Sequence, residues 1–156
     1  MKSQLIKSAV VVAAVAAMFG STGARASDSV SVTVNATIVG VCKFFTSSPV
    51  VNITNTGSGS NIDPSSSTDA TGNAAITYRC SNGTSPTFTV PSSATLTAGG
   101  GATLSPAISS TNGGAGTGMG SGQEKTLTVT GTILAANFQN AAAGAYTGTI
   151  TVSVTP

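Results

Sequence analysis

The sequence predicts an all-β protein that folds as an antiparallel sandwich, and three observations lead to this prediction. Apolar residues recur at every second position in several segments, which is the period of a strand with one buried face. Helical periodicity is nearly absent. Clusters of Gly, Asn, Asp and Pro separate the alternating segments, and these residues favour chain reversal.

The first predicted strand carries an uninterrupted apolar stripe. Its inward positions are Val30, Val32, Val34, Ala36 and Ile38, and hydroxyl or amide residues occupy the positions between them. Three further strands are predicted at residues 50–54, 76–80 and 87–90. Turn residues at 55–57 and 82–83 end two of these segments, so each strand is expected to be short.

Two more strands are predicted near the C-terminus. In one, Leu127, Val129, Gly131 and Ile133 alternate with threonines, and in the other Tyr146, Gly148, Ile150, Val152 and Val154 form the inner face. The segment 135–143 between them is predicted to be a loop. This number of short strands in a chain of this size, with one pair of cysteines and no helices, predicts an immunoglobulin-like antiparallel sandwich.

Residues 1–26 have the pattern of a cleavable export signal. Two lysines form a positive start, an apolar run follows at 9–19, and Ala24-Arg25-Ala26 matches the A-x-A site of a signal peptidase. A bilayer span needs about 20 apolar residues, so this shorter run is interpreted as a signal peptide and not as an anchor. We therefore expect the mature chain to start at Ser27 and to be exported.

The cysteines predict one disulfide. Cys42 and Cys80 are the only two thiols, so a single intramolecular pairing exists, and export would place it in an oxidising compartment. Two free buried cysteines are the alternative. A zinc site would need about four Cys or His ligands, which this chain does not supply.

Only 6% of the residues are charged and none is His, which argues against several functional classes. Ordinary soluble domains have about 25% charged residues. A nucleic-acid interface needs a basic stripe, for which the chain has too few cations. Without His, the four carboxylates at Asp28, Asp63, Asp69 and Glu124 supply no set of nucleophile, base and orienting group, so we predict no enzymatic activity and no cofactor.

Two glycine-rich stretches and one oxygen-rich stretch lack the pattern of a binding motif. Residues 99–101 and 113–122 contain no G-x-x-x-x-G-K-[ST] spacing, so we interpret them as hairpin loops and not as phosphate loops. Asn61, Asp63, Ser65, Ser67 and Asp69 have the alternate spacing of a calcium loop. The glycine and the final glutamate of such a loop are missing, so we interpret 61–69 as a solvated loop and expect no metal site.

The position of the first strand points to an assembly function. It starts within three residues of the predicted mature N-terminus, so it can leave its own sheet and complete the sheet of another molecule. Such strand addition uses backbone hydrogen bonds for affinity and alternate side chains to fill pockets. Beyond residue 26 the chain has three cationic side chains, Lys43, Arg79 and Lys125, and four carboxylates, so it is nearly neutral. Its surface therefore has little charge to keep copies apart.

Three segments resemble chaperone-usher pilins, in particular the archaic branch that includes spore coat protein U-like domains. The first is the alternation of residues 30–38, which leads into Cys42. The second is 72–84 (GNAAITYRCSNGT), which is similar to the family's second-cysteine strand. The third is 144–154 (GAYTGTITVSV), where a G-x-Y-x-G turn precedes an alternating terminal strand. The Gly/Ser/Thr stretch 99–124 departs from the coat-protein-U pattern, which has a longer aromatic-bearing segment there.

The resemblance implies a sandwich that lacks its final strand and a structural role in a cell-surface pilus, for adhesion or biofilm formation. In that family a periplasmic chaperone fills the gap until an outer-membrane usher exchanges it for the N-terminal extension of the next subunit. On this chain the resemblance implies a donor strand at 27–40 and a pilin domain at 41–156. It assigns Val30, Val32, Val34, Ala36 and Ile38 to the donated face, Tyr146, Ile150, Val152 and Val154 to the border of the empty groove, and Cys42 and Cys80 to the disulfide.

Two interpretations of the N-terminal strand stay open. Residues 28–39 are either donated to another copy or form the domain's own first strand. In the second case the protein is a self-complete secreted or surface sandwich, such as an adhesin or coat component, that does not polymerise. The resemblance favours donation, with identical or related subunits as partners, and predicts neither a nucleic-acid partner nor a stable transmembrane segment.

Overall fold

The structure is a computed structural model in which residues 28–57 and 59–156 are described. The predicted export signal at 1–26, and the cleavage site predicted before Ser27, lie outside these residues. Residues 38–156 form one unit of mutually contacting residues, and the described residues 28–37 lie outside it. The elements below all belong to the unit 38–156.

The regular secondary structure of the described residues is almost entirely β, with antiparallel pairing, which confirms the predicted all-β fold. The strands are β1 (Cys42–Phe44), β2 (Ala70–Cys80), β3 (Thr87–Thr89), β4 (Leu96–Ala98), β5 (Thr103–Leu104), β6 (Ala107–Asn112), β7 (Lys125–Ile133), β8 (Tyr146–Thr147) and β9 (Ser153–Thr155). One helical turn, α1 (Ala135–Phe138), lies in the segment predicted to be a loop. Within the described ranges, no helix is long and apolar enough to cross a membrane.

Sheet 1 has four strands in the order β1-β2-β7-β6. Its centre is the β2–β7 pair, whose register runs from Ala70 opposite Ile133 to Tyr78 opposite Lys125. Burial alternates along both strands, so every second residue faces the core. This alternation confirms the inner face predicted for residues 127–133.

The second layer, sheet 2, is assembled from two separately paired parts. One part has the order β5-β4-β8, and the other is the pair β3-β9. Because β8 pairs with β4 and β9 pairs with β3, the single strand predicted over 146–154 is divided. Residues 148–152 join the two parts and lie in no strand.

Side chains from both layers meet in two apolar clusters, which confirms the sandwich. The buried members of the first are Ile53, Ala70, Leu104, Ile133 and Phe138, and those of the second are Ile76, Tyr78, Cys80, Leu127 and Val129. Strands β2 and β7 contribute to both clusters because they run the full length of sheet 1. Phe88 of β3 packs edge-on against Tyr78 of β2, with ring centroids 4.9 Å apart.

Cys42 and Cys80 form the predicted disulfide. They are directly opposite in the β1–β2 pairing, so the bond ties the edge strand β1 to the centre of sheet 1. The glycine-rich loop 113–122 closes over the same end of the sheet as the connection between β6 and β7. Its backbone is hydrogen-bonded there: the N–H of Gly118 donates to the Cys80 carbonyl (3.1 Å), and Tyr78 Oη donates to the Gly114 carbonyl (2.7 Å).

Arg79 of β2 organises the outer face at this end of sheet 1. It forms an ion pair with Glu124, the only one among residues 28–57 and 59–156. Its guanidinium carbon lies 4.3 Å from the ring centroid of Phe45, and Nη1 donates to the Met119 carbonyl at 3.3 Å. The hydrogen bond from Arg79 holds the pKa of Glu124 below its usual range.

Several strand boundaries differ from the sequence prediction. Strands β4, β5 and β6 were not predicted, because the first two have only three and two residues and β6 has a single half-buried apolar residue, Ile108. Residues 50–53 were predicted as part of a strand but lie in none, and only Thr54 pairs, in an isolated bridge with Thr71. These residues cross the sheet instead of extending it.

Replacing both cysteines by Ala is expected to lower the free energy of unfolding by about 3–4 kcal/mol, because the bond closes a loop between residues 38 positions apart. Urea denaturation of the oxidised protein and of the double variant measures the difference. In a parallel experiment, the exported protein labelled without reductant should take up no alkyl group. Uptake of two alkyl groups would contradict the disulfide.

Glu124→Gln is expected to make stability less sensitive to acid. Since the folded-state pKa of Glu124 is lowered, the stabilisation from this group is fully present above its unfolded pKa of about 4.3 and is lost as pH falls through the folded-state value. The wild type should therefore lose more stability than the variant between about pH 5 and about pH 2. Denaturation curves across this range test the sign, and identical pH slopes would contradict it.

Candidate functional site

An open apolar groove of about 1180 Å³ lies between the two layers of the sandwich. One wall comes from residues between 44 and 53, the other from residues 141–152, and inward side chains of β2, β4, β5 and β7 form the floor. Small-molecule sites usually measure about 300–1000 Å³ and enclose most of the ligand. The size and openness of this groove fit a polypeptide segment better than a small molecule.

A pair of glycines positions the first wall. Gly72 of β2 and Gly131 of β7 lie directly opposite each other in sheet 1. A Cβ at Gly72 would overlap the carbonyl of Asn52, and one at Gly131 would lie 3.0 Å from Cδ1 of Ile53. The absent side chains therefore let residues 52–53 cross the inner face of the sheet, where Ile53 is buried in the first apolar cluster.

The second wall, residues 141–152, runs through β8 into the segment that joins β8 to β9. At Gly148 it lies so close to the chain before β4 that a Cβ would overlap the carbonyl oxygen of Thr95. Tyr146 Oη donates a 2.8 Å hydrogen bond to the Ala142 carbonyl, which closes a turn at the start of the wall. The missing side chain at Gly148 thus permits the close approach to sheet 2, and Tyr146 fixes the turn that leads into it.

The groove offers apolar surface and no formal charge: none of the described residues that line it is Asp, Glu, Lys or Arg. Its inward side chains pack against the buried clusters but stay partly exposed, and among them are Phe44, Val51, Leu96, Ile108, Tyr146, Ile150 and Val152. In a closed sandwich the inward residues of both sheets interdigitate and cover one another. Here they are left partly uncovered.

Both walls also present unpaired backbone. Within the part of the chain that the structure describes, no hydrogen bond involves the backbone of residues 47–52 or of residues 149–151. Free N–H and C=O groups along an extended edge are a template for another strand. A segment lying in the groove could therefore pair with backbone on its flanks while it buries its side chains.

The structure brings together most of the residues predicted to border an acceptor groove. Tyr146, Ile150 and Val152 line it. Val154 is not among the lining residues, because it lies in β9 directly opposite Phe88, where sheet 2 is paired. The groove border therefore ends before β9 and not within it.

The residues predicted to be donated are exposed in this chain. The exposed fractions of Val30, Val32, Val34 and Ile38 are 87%, 77%, 86% and 92%, and Ala36 is exposed as well. No residue from 28 to 41 lies in a strand. The prediction that residues 30–38 form a strand with a buried face is thus wrong for the single chain, because a strand needs a neighbour and no described residue pairs with this segment.

Sequence reasoning missed much of the groove floor. Leu96, Leu104 and Phe138 line it, yet no strand was predicted between residues 91 and 126. A signal exists for the first two, since short alternating segments flank the glycines 99–101, which is the pattern of a hairpin. Phe138 has no comparable signal, because it is an isolated large apolar residue in a single helical turn, with Asn137 and Gln139 beside it.

The oxygen-rich stretch 61–69 uses its carboxylates to build its own loop. Asp63 Oδ1 accepts hydrogen bonds from the hydroxyl (2.7 Å) and the N–H (2.9 Å) of Ser65, and these bonds lower the pKa of Asp63. Asp69 Oδ1 accepts from the N–H of Ala135 at 2.8 Å, which ties the loop to α1. No group of three His, Cys, Asp or Glu residues that could hold a metal ion occurs among the described residues.

Comparisons with known proteins assign no family to the chain. A scan against models of protein families, a search of characterised protein sequences and a search of solved structures each found no match. The function therefore has to be argued from the groove and from the exposed N-terminal segment.

Gly148→Ala is expected to lower the free energy of unfolding by about 2–3 kcal/mol, because the new methyl group would overlap the Thr95 carbonyl oxygen, which is part of the backbone. Gly144→Ala is the matched control, since its Cβ would meet only the Cβ of Ala98 at 3.5 Å, an ordinary contact. Urea denaturation of both variants measures the difference. Equal stability would show that the second wall is not held against sheet 2 at Gly148.

Proposed function

We propose that this chain is a structural subunit of a pilus or fimbria that polymerises by strand donation. Residues 30–38 of one copy enter the groove of another copy and become the strand that its sandwich lacks. The observation that carries the proposal is the pairing of two features within one sequence. One is an apolar groove with unpaired backbone on both walls, and the other is an exposed segment with apolar residues at every second position.

The side chains of the segment suit the groove. In an extended conformation, Val30, Val32 and Val34 project on the same side as Ala36 and Ile38, and the groove is lined by partly exposed aliphatic and aromatic residues. Each valine that becomes fully buried contributes about 1.5–3 kcal/mol by apolar transfer. The opposite face carries hydroxyl and amide groups, which can stay in water.

The length of the segment also suits the groove. Nine residues in strand conformation span about 30 Å at about 3.3 Å per residue, and the second wall, residues 141–152, is long enough to flank them. The backbone groups of 149–151 and of 47–52 would then find partners on the donated strand, which removes two free edges at once. Affinity would come from main-chain hydrogen bonds and register from the apolar stripe.

The proposal includes partners and a location. A chain with an open apolar groove and a free apolar segment would self-associate unless it is covered, so a periplasmic chaperone fits the interval between export and assembly. An outer-membrane usher would then exchange the chaperone for the next subunit, and the polymer would stand on the cell surface. These assignments rest on the resemblance to chaperone-usher pilins and on the export signal expected at residues 1–26.

Val34→Asp is expected to abolish the polymer without affecting the fold of the subunit. In the free chain this position is exposed, whereas in the polymer the variant would bury an unpaired carboxylate, at a cost greater than the lost transfer energy. The matched control is Thr33→Asp, which adds the same charge to the adjacent, outward position. After expression with the export machinery, electrophoresis in SDS without boiling should show a ladder for the wild type and Thr33→Asp, and only disulfide-bonded monomer for Val34→Asp.

Removal of residues 27–37 distinguishes donation from an in-chain strand. If the segment is donated, the truncated chain should fold and should bind a peptide of residues 29–39, which nuclear magnetic resonance or fluorescence of a labelled peptide can detect. If the truncated chain fails to fold even with that peptide, while the intact chain is a stable monomer, the proposal is wrong. The protein is then a self-complete secreted or surface sandwich.

A further inference from the structure

The three cations beyond residue 26 lie together at one end of sheet 1. Lys43 is directly opposite Arg79 in the β1–β2 pairing, and Lys125 is directly opposite Tyr78 in the β2–β7 pairing. The one acidic side chain that the structure describes at this end, Glu124, is paired with Arg79. Among the described residues, Lys43 and Lys125 have no ion-pair partner. We call this region the cationic end.

Two carboxylates lie at the opposite end of the same sheet. Asp69 immediately precedes β2 and accepts a hydrogen bond from Ala135, just after β7. Asp63 is held next to the start of β2 because it is hydrogen-bonded to Asn55, whose neighbour Thr54 pairs with Thr71. Ten residues of extended chain separate Asp69 from Arg79, or about 33 Å at about 3.3 Å per residue. We call this region the acidic end.

The groove runs between these two ends. Tyr146 packs against the apolar cluster that contains Ala70 and Ile133, at the acidic end. Val152 packs against the cluster that contains Cys80, at the cationic end. The second wall therefore runs from the acidic end to the cationic end as the residue number increases.

The link between the donated segment and its own domain is short and held in place. Val41 and Ser81 exchange hydrogen bonds, with the Val41 N–H donating to Ser81 Oγ at 3.1 Å and the Ser81 N–H donating to the Val41 carbonyl at 2.9 Å. A Cβ at Gly40 would lie 3.2 Å from Thr84 Oγ1, so this residue is also close to the domain. Residues 39–41 span at most about 10 Å, so the segment leaves from the cationic end of the donating copy.

We infer that consecutive copies meet with the cationic end of the donating copy facing the acidic end of the accepting copy, an inference that rests on the proposed strand donation. A segment that runs antiparallel to 146–152 leaves the accepting groove with Ile38 beside Tyr146, at the acidic end. The short link 39–41 then brings the cationic end of the donating copy next to the acidic end of the accepting copy, where Asp63 and Asp69 lie, and the two ends attract each other at low salt, where the Debye length is about 30 Å. The partner is thus a second copy of this chain, recognised by opposite charge.

The opposite orientation brings like charges together. A parallel segment would leave the groove beside Val152 and place two cationic ends next to each other. Asp28, two residues before Val30, adds no preference of its own, because the α-ammonium group of the mature N-terminus expected at Ser27 lies beside it. The charges where the donated segment leaves the groove therefore select the antiparallel orientation.

The experiment measures the rate at which the purified exported chain polymerises at about 0.01 M and about 0.5 M salt, where screening lengths are about 30 Å and under 8 Å. The wild type should polymerise on the order of five times faster at low salt. The Lys43→Gln variant should lose most of this increase in polymerisation rate at low salt. The matched control is Ser109→Glu, which lowers the net charge by the same amount. Ser109 lies in the middle of β6, away from both ends, so this variant should keep the faster rate at low salt.

A charge exchange and a cross-link complete the test. Lys43→Asp and Asp63→Lys should each slow assembly at low salt, and the chain carrying both changes should recover most of the wild-type rate.

The cross-link tests the orientation of the donated segment. In a mixture of Val39→Cys and Ala145→Cys chains, oxidation should join the donating to the accepting copy. A mixture of Val39→Cys and Ser153→Cys chains should form no such cross-link.

Polymerisation of every charge variant at the same, salt-independent rate would overturn the charge-directed contact while leaving strand donation intact. Cross-linking through Ser153→Cys in place of Ala145→Cys would overturn the orientation. A wild-type chain that forms no polymer at either salt concentration would overturn the proposed function itself.

Discussion

The pairing of β2 with β7 is the interaction on which the rest of this structure depends. Its nine residue pairs place inward side chains of sheet 1 in both apolar clusters, so one register aligns the whole core. The same register sets Gly72 opposite Gly131 and opens the path that residues 52–53 follow across the sheet. Its two ends are tied to the flanking chain by the disulfide of Cys80 and by the bond between Asp69 and Ala135.

Sheet 2 has no comparable continuous pair, and the groove follows from that difference. Its strands have two or three residues each, and the segment between β8 and β9 has no partner in the described chain. Half-buried residues such as Leu96, Ile108 and Ile150 are therefore packed on one side only. A strand in the groove would add the missing packing and hydrogen bonds together, so stability and assembly would be gained in the same step.

The small number of charged residues and the positions of these residues have different consequences for association between copies. With few charges, the surface does little to keep copies apart, which would favour association in any orientation. The remaining charges are not scattered, because the cations lie at the disulfide end of sheet 1 and two of the carboxylates lie at the other end. If copies assemble by the proposed strand donation, such polarity would distinguish one orientation of neighbouring copies from the reverse.

By itself the sequence determined the all-β class, the disulfide of Cys42 and Cys80, and the inner face of β7, because a period of two and a unique pair of thiols are local properties. It also singled out the apolar stripe of residues 30–38, whereas three residues of the groove border, Tyr146, Ile150 and Val152, were assigned through the resemblance to chaperone-usher pilins. Only the tertiary structure decided that 50–53 cross the sheet, that 146–154 is divided between two partners, and that Leu96, Leu104 and Phe138 form the floor. Those features depend on which distant strands pair, and pairing between residues far apart in the chain leaves no periodic trace in either segment alone.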